Sequence, residues 1–300
     1  MGIAAPAAVR SFPSCLRPLG WRSRAGVFLA LAYCAVAGRL SAETPPVAPT
    51  ATRSPDITRS SPTVGERLGF HGYWFGLPVG HGWLRVSALT DWAGHPAYLI
   101  EAEGRSNDIL STFYPIYDTV SSYLDANTLQ PLRFEKHQRE GRYHADEIVT
   151  FDYARGVALY RSLLNESEKT IPLTPDVQDL VSVLYWLRAQ PLKPPQRLAL
   201  NLYTDEKIYQ TELDVAAPQP LELLKRGTFS CFVVEPKKAS FKGLLVKRGR
   251  LWAYVTADAY RIPLLIKTTT PWGLMSAVID EVSIPPEVDA HHEGRPSTRP

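Results

Sequence analysis

TPDVQDLVSVLYWLRAQ, residues 174–190, is the one segment of this chain with a sustained helical period. Val177, Leu180, Val181, Leu184 and Leu187 recur at helical spacing, and Val183, Tyr185 and Trp186 widen the apolar face. Thr174 is placed to cap this helix, Pro175 to occupy its first turn, and Asp176 to sit at the positive end of its dipole. Pro191, Pro194 and Pro195 end it. Burying each large side chain is worth about 1.5–3 kcal/mol, so an apolar helix of this width needs cover on most sides.

The flanking sequence supplies that cover as strands. Leu68, Phe70, Gly72 and Trp74 share one parity, a turn follows at residues 76–79, and Gly80, Gly82, Leu84 and Val86 continue on the same face. Glycines at 72, 80 and 82 on an inward face predict strong curvature or the close approach of something packed inside. A further strand is read over 97–103 and a short helical crossing over 106–113. Strands follow near 116–124, 130–138, 143–152 and 156–162, and beyond the helix near 197–204, 207–215, 228–235, 249–256, 261–269 and 274–282. The predicted fold is mainly β: an antiparallel meander of roughly ten strands, curved as an open or half barrel and wrapped around one main α-helix.

The ends of the chain read differently. Residues 1–24 hold Arg10, Arg17, Arg22 and Arg24 and no acid, and Ala25 to Gly38 is a short apolar run. That run is too short to span a bilayer and fits the core of an export signal. Residues 1–42 are therefore predicted to be a signal peptide cleaved after Ala42 or Gly38, with an uncleaved membrane anchor as the alternative. Cys34 follows the bulky Tyr33, which excludes lipid attachment there. Residues 43–63, rich in Pro, Ser and Thr, read as a disordered linker, 64–284 as a single domain, and 285–300 as a polar tail. The predicted localisation is the periplasm or cell envelope.

Export alters the charge argument. The formal net charge is +3, but five of the 33 basic residues precede Glu43, leaving 28 against 30 acidic residues, a net of −2. Nucleic acid loses its electrostatic case. Cys231 would be the sole cysteine of the exported chain, flanked by Phe229, Phe232 and Val233, and is predicted to be a buried thiol.

In order along the domain stand Gly65-Glu66-x-Leu68-x-Phe70-x-x-x-Trp74-x-Gly76, then Gly80-x-Gly82-x-Leu84-x-Val86, Asp118, and Tyr123-Leu124-Asp125. Gln178-Asp179-Leu180-x-Ser182-x-Leu184-Tyr185-x-Leu187-Arg188 follows, then Gly227-Thr228-Phe229-x-Cys231 and Asp258-x-x-Arg261-x-Pro263. This series resembles the bacterial exported family known as domain of unknown function 3108 (DUF3108). The resemblance implies an envelope protein without an established activity and a fold similar to the half barrels of lipoprotein carriers. In one departure, Tyr254 stands where the family pattern leads us to expect Trp.

No motif for catalysis or metal binding emerges. The histidines lack metal-ligand spacing, there is no nucleophile elbow, and Gly80-His81-Gly82 lies within a strand. Asp146-Glu147 and Asp280-Glu281 are adjacent, so on strands their side chains point to opposite faces. No catalytic residue, metal site or cofactor is assigned. Asp118, Asp179, Arg188 and Asp258 are read as structural: Asp179 accepting backbone N–H groups, Arg188 partnering Asp118, and Asp258 bonding backbone two residues on.

Aromatic residues including Phe70, Trp74, Trp83, Tyr185 and Trp186 are numerous. The leading expectation is a non-enzymatic envelope protein that holds a lipid or other apolar ligand between sheet and helix. Its lining would be Phe70, Gly72, Trp74, Gly80, Gly82 and Leu84 from the sheet with Val181, Leu184 and Tyr185 from the helix. The alternatives are a protein–protein module in envelope assembly, with other envelope proteins as partners, and a hydrolase of envelope polymers.

Overall fold

The alternation read in the sequence becomes one large sheet. A computed structural model describes residues 62–224, 226–237, 250–270 and 273–285. The predicted signal peptide, nearly all of the linker, the turn at Pro271-Trp272 and the tail beyond residue 285 lie outside the described residues. The first half of the chain forms β1 (Arg67–Trp74), β2 (Leu77–Trp92), β3 (His95–Ser106), the short helix α1 (Asp108–Ser111), β4 (Ile116–Asp125), β5 (Pro131–Glu140), β6 (Tyr143–Asp152), β7 (Val157–Ser162) and β8 (Glu168–Pro172). After it come β9 (Val177–Gln178), α2 (Ser182–Ala189), β10 (Gln196–Thr204) and β11 (Lys207–Val215). The last elements are β12 (Gln219–Leu223), β13 (Gly227–Pro236), β14 (Leu251–Thr256), β15 (Pro263–Thr270) and β16 (Gly273–Ser283).

All sixteen strands belong to one sheet, ordered β8-β7-β6-β5-β4-β3-β2-β1-β16-β15-β14-β13-β11-β10-β9, with β12 pairing β13 outside that path. Neighbours along it are antiparallel except β9 and β10. The first strand therefore lies between the second and the last. The sheet is open, ending at β8 on one side and β9 on the other. Thirteen of the described strands match segments read from the sequence, against a meander put at roughly ten; β8, β9 and β12 are additional, being short and without sustained alternation.

The expected helix is shorter than its period. Val177 and Gln178 pair with Asn201 and Leu202 as a parallel ladder, and Asp176 adopts a φ of 57°. Helix α2 then covers eight residues only. Thr174 caps nothing. The ladder satisfies the backbone of residues 177–178, so the tertiary contact overrides the local period.

Among the described residues the core falls into four clusters, the smallest formed by Val79 and Ile116 with Leu110 and Tyr114 against them. Val86, Ile100, Val120, Leu124, Phe134 and Val149 from β2 to β6 pack with Val177, Val181, Tyr185 and Tyr203. Trp186 and Leu187 of α2 join Leu200, Leu213, Phe232 and Val255. Leu68, Cys231, Ile262 and Ile279 form the third cluster with Leu221 and Leu223 of β12. Leu200 and Tyr203 belong to different clusters, so β10 is covered on both faces. Tyr203 meets Phe151 of β6 edge-on, with ring centroids 5.6 Å apart.

Candidate functional site

The start of α2 is organised by Asp179. Its Oδ1 accepts the N–H groups of Val181 and Ser182, each at 2.7 Å, and its Oδ2 accepts Ser122 Oγ–H at 2.6 Å. The Asp179 N–H donates in return to Ser182 Oγ at 2.7 Å, the reciprocal logic of a capping box. Burial pushes the Asp179 carboxyl above its ordinary value although these bonds oppose the shift. Asp179 is thus the acceptor of backbone N–H groups that its position in the sequence suggested.

Arg188, at the other end of the helix, does not partner Asp118. Its Nη1 and Nη2 donate to the two carboxylate oxygens of Glu66 at 2.6 and 2.8 Å, and its Nε donates to the Tyr260 carbonyl at 3.0 Å. The Tyr185 hydroxyl donates to Glu66 Oε1 at 3.2 Å. Both charged side chains are 2% exposed or less. The reason is register. Glu66, Val86, Ile100 and Ser122 lie in one row across four segments. Asp118 is four residues further along β4, about 13 Å away. The Asp258 turn serves the same tether. Its Oδ1 accepts the N–H groups of Tyr260 and Arg261 at 3.0 Å, which sets the Tyr260 carbonyl against the Arg188 guanidinium.

Asp118 instead belongs to a buried polar group that sequence reasoning missed. It accepts the Arg139 N–H at 3.0 Å, and the Glu140 carboxyl stands within hydrogen-bonding reach. Gln138 Nε2 donates to Glu140 Oε1 at 3.3 Å, while Lys136 Nζ meets Glu147 at 2.9 Å. Burial raises the Asp118 carboxyl, and two carboxyls in this position favour one shared proton. Burial, assisted by Glu147 and Glu140, pushes Tyr143 up to about 12. The group has no Ser, Cys or Lys nucleophile beside a free base, since Lys136 is neutralised by Glu147. Asp118, Lys136, Gln138 and Glu140 are all buried.

The nine residues expected to line a ligand site are brought together only in part: Leu84 of the sheet meets the cluster that holds Val181, Leu184 and Tyr185. Phe70 and Leu84 pack on the cluster around Leu68, while Val181, Leu184, Tyr185 and again Leu84 pack on the cluster around Val86. Gly72 faces Gly80 directly across the ladder, and Gly82 faces Phe70. Trp74 stands eight residues along from Glu66, which holds Tyr185, so about 26 Å separates it from the helix. Gly82 makes room for backbone: a Cβ there would stand 2.6 Å from the Glu103 carbonyl oxygen. Cys231 is buried, as expected, and burial raises its thiol pKa. Among the described residues no group of three or more His, Cys, Asp or Glu side chains could hold a metal ion. Nor is any helix there long and apolar enough to cross a membrane.

One end of the sheet carries an unexpected apolar surface. The C-terminal ends of β1, β3 and β15 point the same way, because each is two antiparallel steps from the next along β1, β2, β3 or β1, β16, β15. At this end Phe75 and Leu77 are 66% and 65% exposed, and Ile109 and Phe113 beside α1 are 75% and 82% exposed. Trp74 and Leu274 are more than a third exposed. Hydrogen bonds join the three connections into one cap. Phe75 N–H donates to Leu274 O at 2.9 Å, and Asn107 donates from its backbone and side chain to Val79 O and Pro78 O at 2.8 Å. Phe75 has a φ of 49° in the β1–β2 turn, a conformation that favours Asn, Asp or Gly. Its ring lies where a Cβ on Gly273 would stand.

This is the architecture of a mainly β protein with one large open sheet and few helices. The family described as "Protein of unknown function (DUF3108)" matches residues 70–280, and the chain belongs to it. Among solved structures, a beta-barrel-like protein of domain of unknown function DUF1849 from Brucella abortus superposes with a TM-score of 0.52 at 11% identity, covering 74% of this chain and 98% of that one. A Bacteroides fragilis protein of YmcC-like fold, described as exported, covers 75% of this chain and 98% of its own at 10% identity, but its TM-score of 0.28 lends no weight. No curated protein matches the chain.

Proposed function

We propose that this protein is a non-enzymatic component of the bacterial cell envelope that works through its outer surface, as a docking module in envelope assembly. The apolar cap carries this reading: Phe75, Leu77, Ile109 and Phe113 are mostly exposed, and Trp74 and Leu274 partly so, at one end of the sheet. Export and envelope localisation rest on the arginine-rich, then apolar, first 42 residues. The finer architecture, a sheet curved around α2 in the manner of lipoprotein carriers, is supported by the helix contributing to two core clusters and by its bonds to Ser122, Glu66 and Tyr260.

A second reading, carriage of an apolar ligand between sheet and helix, is favoured by Leu84 and Leu184, which remain partly exposed within the core. A photoreactive residue placed at Phe113, and separately at Leu224 in the β12–β13 turn, tests the first reading in the full chain expressed in its own envelope. Crosslinks at position 113 and none at 224 are expected. Equal crosslinking at both, or none at 113, refutes the docking reading. A lipid retained in native mass spectra with position 113 silent would establish the second reading instead.

A further inference from the structure

The apolar cap has three properties that bear on what it meets. It is composite: its side chains come from the β1–β2 hairpin, from α1 and the residues that follow it, and from the start of β16. It is nearly uncharged. Residues 75–78, 107–115 and 273–274 contain one charged side chain, Asp108. It is also large for an exposed apolar patch. At about 200 Å² for each large side chain, the exposed fractions amount to roughly 700 Å², above the ~300–600 Å² of the largest such patch on a typical monomer. A fourth observation shows that the display is built. Phe75 occupies a left-handed turn position at which a bulky residue is strained, and Gly273 leaves the space its ring fills.

We propose that this cap docks the protein on a lipid bilayer. Trp74, Phe75, Leu77, Ile109, Phe113 and Leu274 enter the headgroup region, and the attraction comes from burial of apolar and aromatic surface, independent of lipid charge. The inference rests on the docking reading above and names its partner. A bilayer needs no groove and no complementary shape, and isolated aromatic and aliphatic side chains suit its interface. A neutral cap suits a zwitterionic surface better than an anionic one, where polybasic segments supply the attraction. A peptide partner would call for a groove or an exposed strand edge, whereas the cap is formed by strand ends and the short α1.

The test is flotation of the full-length exported protein with phosphatidylcholine vesicles, at low and high salt. Wild type should float with the vesicles at both. The Ile109→Ser/Phe113→Ser variant should lose about tenfold in partitioning with unchanged thermal melting, because both side chains are mostly in solvent. Leu224→Ser, which removes an apolar side chain that is 91% exposed outside the cap, should leave flotation intact. Four results would overturn the proposal: no flotation of wild type, flotation abolished by high salt, equal loss in Leu224→Ser, or a wild-type dimer that the double variant converts to monomer. A failure of flotation together with protein crosslinks at position 113 would remove the lipid partner and leave the docking module standing. Failure of both would remove both.

Discussion

Replacing Glu66 by Ala should be among the most damaging single changes available to this chain. The side chain accepts three hydrogen bonds, two from the Arg188 guanidinium and one from Tyr185. Its removal leaves a buried guanidinium with the Tyr260 carbonyl at 3.0 Å and the face of Tyr185 at 5.0 Å. An uncompensated buried charge costs about 3–5 kcal/mol, well above the ~1 kcal/mol typical of one neutral hydrogen bond. In a domain of this size that corresponds to a fall in Tm on the order of 6–20 °C. The assay is urea unfolding followed by tryptophan fluorescence, with Trp186 reporting from the same helix. The double variant Glu66→Leu/Arg188→Met should recover most of the loss, because an apolar pair no longer leaves a charge stranded. A single-variant cost below about 1 kcal/mol, or a double variant worse than both singles combined, would refute the reasoning and make the pair incidental to α2.

Two further outcomes follow from the interior. The folded-state pKa of Asp118 is raised by burial, so its contribution to stability is complete below the ordinary carboxylate value and is lost as pH rises through the raised one; Asp118→Asn should therefore flatten the decline of the urea midpoint between acid and neutral pH, and parallel curves for variant and wild type would exclude the assignment. Gly82→Ala should cost about 1–3 kcal/mol, because the new methyl meets the Glu103 carbonyl oxygen in the neighbouring strand, and an unchanged urea midpoint would show that the two strands are not held so close.

The strands were legible because most alternate cleanly. β4 buries Ile116, Asp118, Val120, Ser122 and Leu124 on one face, and its ends fall within a residue of those read from the pattern. β5 shows where such reading stops. Arg133, Glu135, His137 and Arg139 face one way and Lys136, Gln138 and Glu140 the other. Leu132 and Phe134 mark the inner face at its start, but three polar residues continue that face, and the Asp118–Glu140 pair emerges only from cross-strand register. The helix misled in the opposite sense. Val177 and Leu180 keep the period, yet the parallel pairing of β9 claims the first turns. Glu66 was visible as part of a motif. Its partnership with Arg188, 122 residues away, needs the row that sets Glu66 beside Val86, Ile100 and Ser122. The apolar cap escaped because residues between strands were read as turn chemistry, and Phe75, Ile109 and Phe113 fit no alternating pattern.

The place of β1 between β2 and β16 has a consequence for how the chain acquires its shape. Arg67 lies opposite Ser283, and Arg67 reaches Glu281 across 214 positions of sequence. Closing a loop of that length costs about 5 kcal/mol of chain entropy before any contact repays it. A chain emerging from the ribosome presents β1 first and β16 last. Until the final strand arrives, the strand whose entry point holds Glu66 keeps one edge bare, with its amides and carbonyls open to any other extended segment. Completion of the sheet is thereby postponed until synthesis is nearly over, which makes that interval the period of greatest exposure to aggregation.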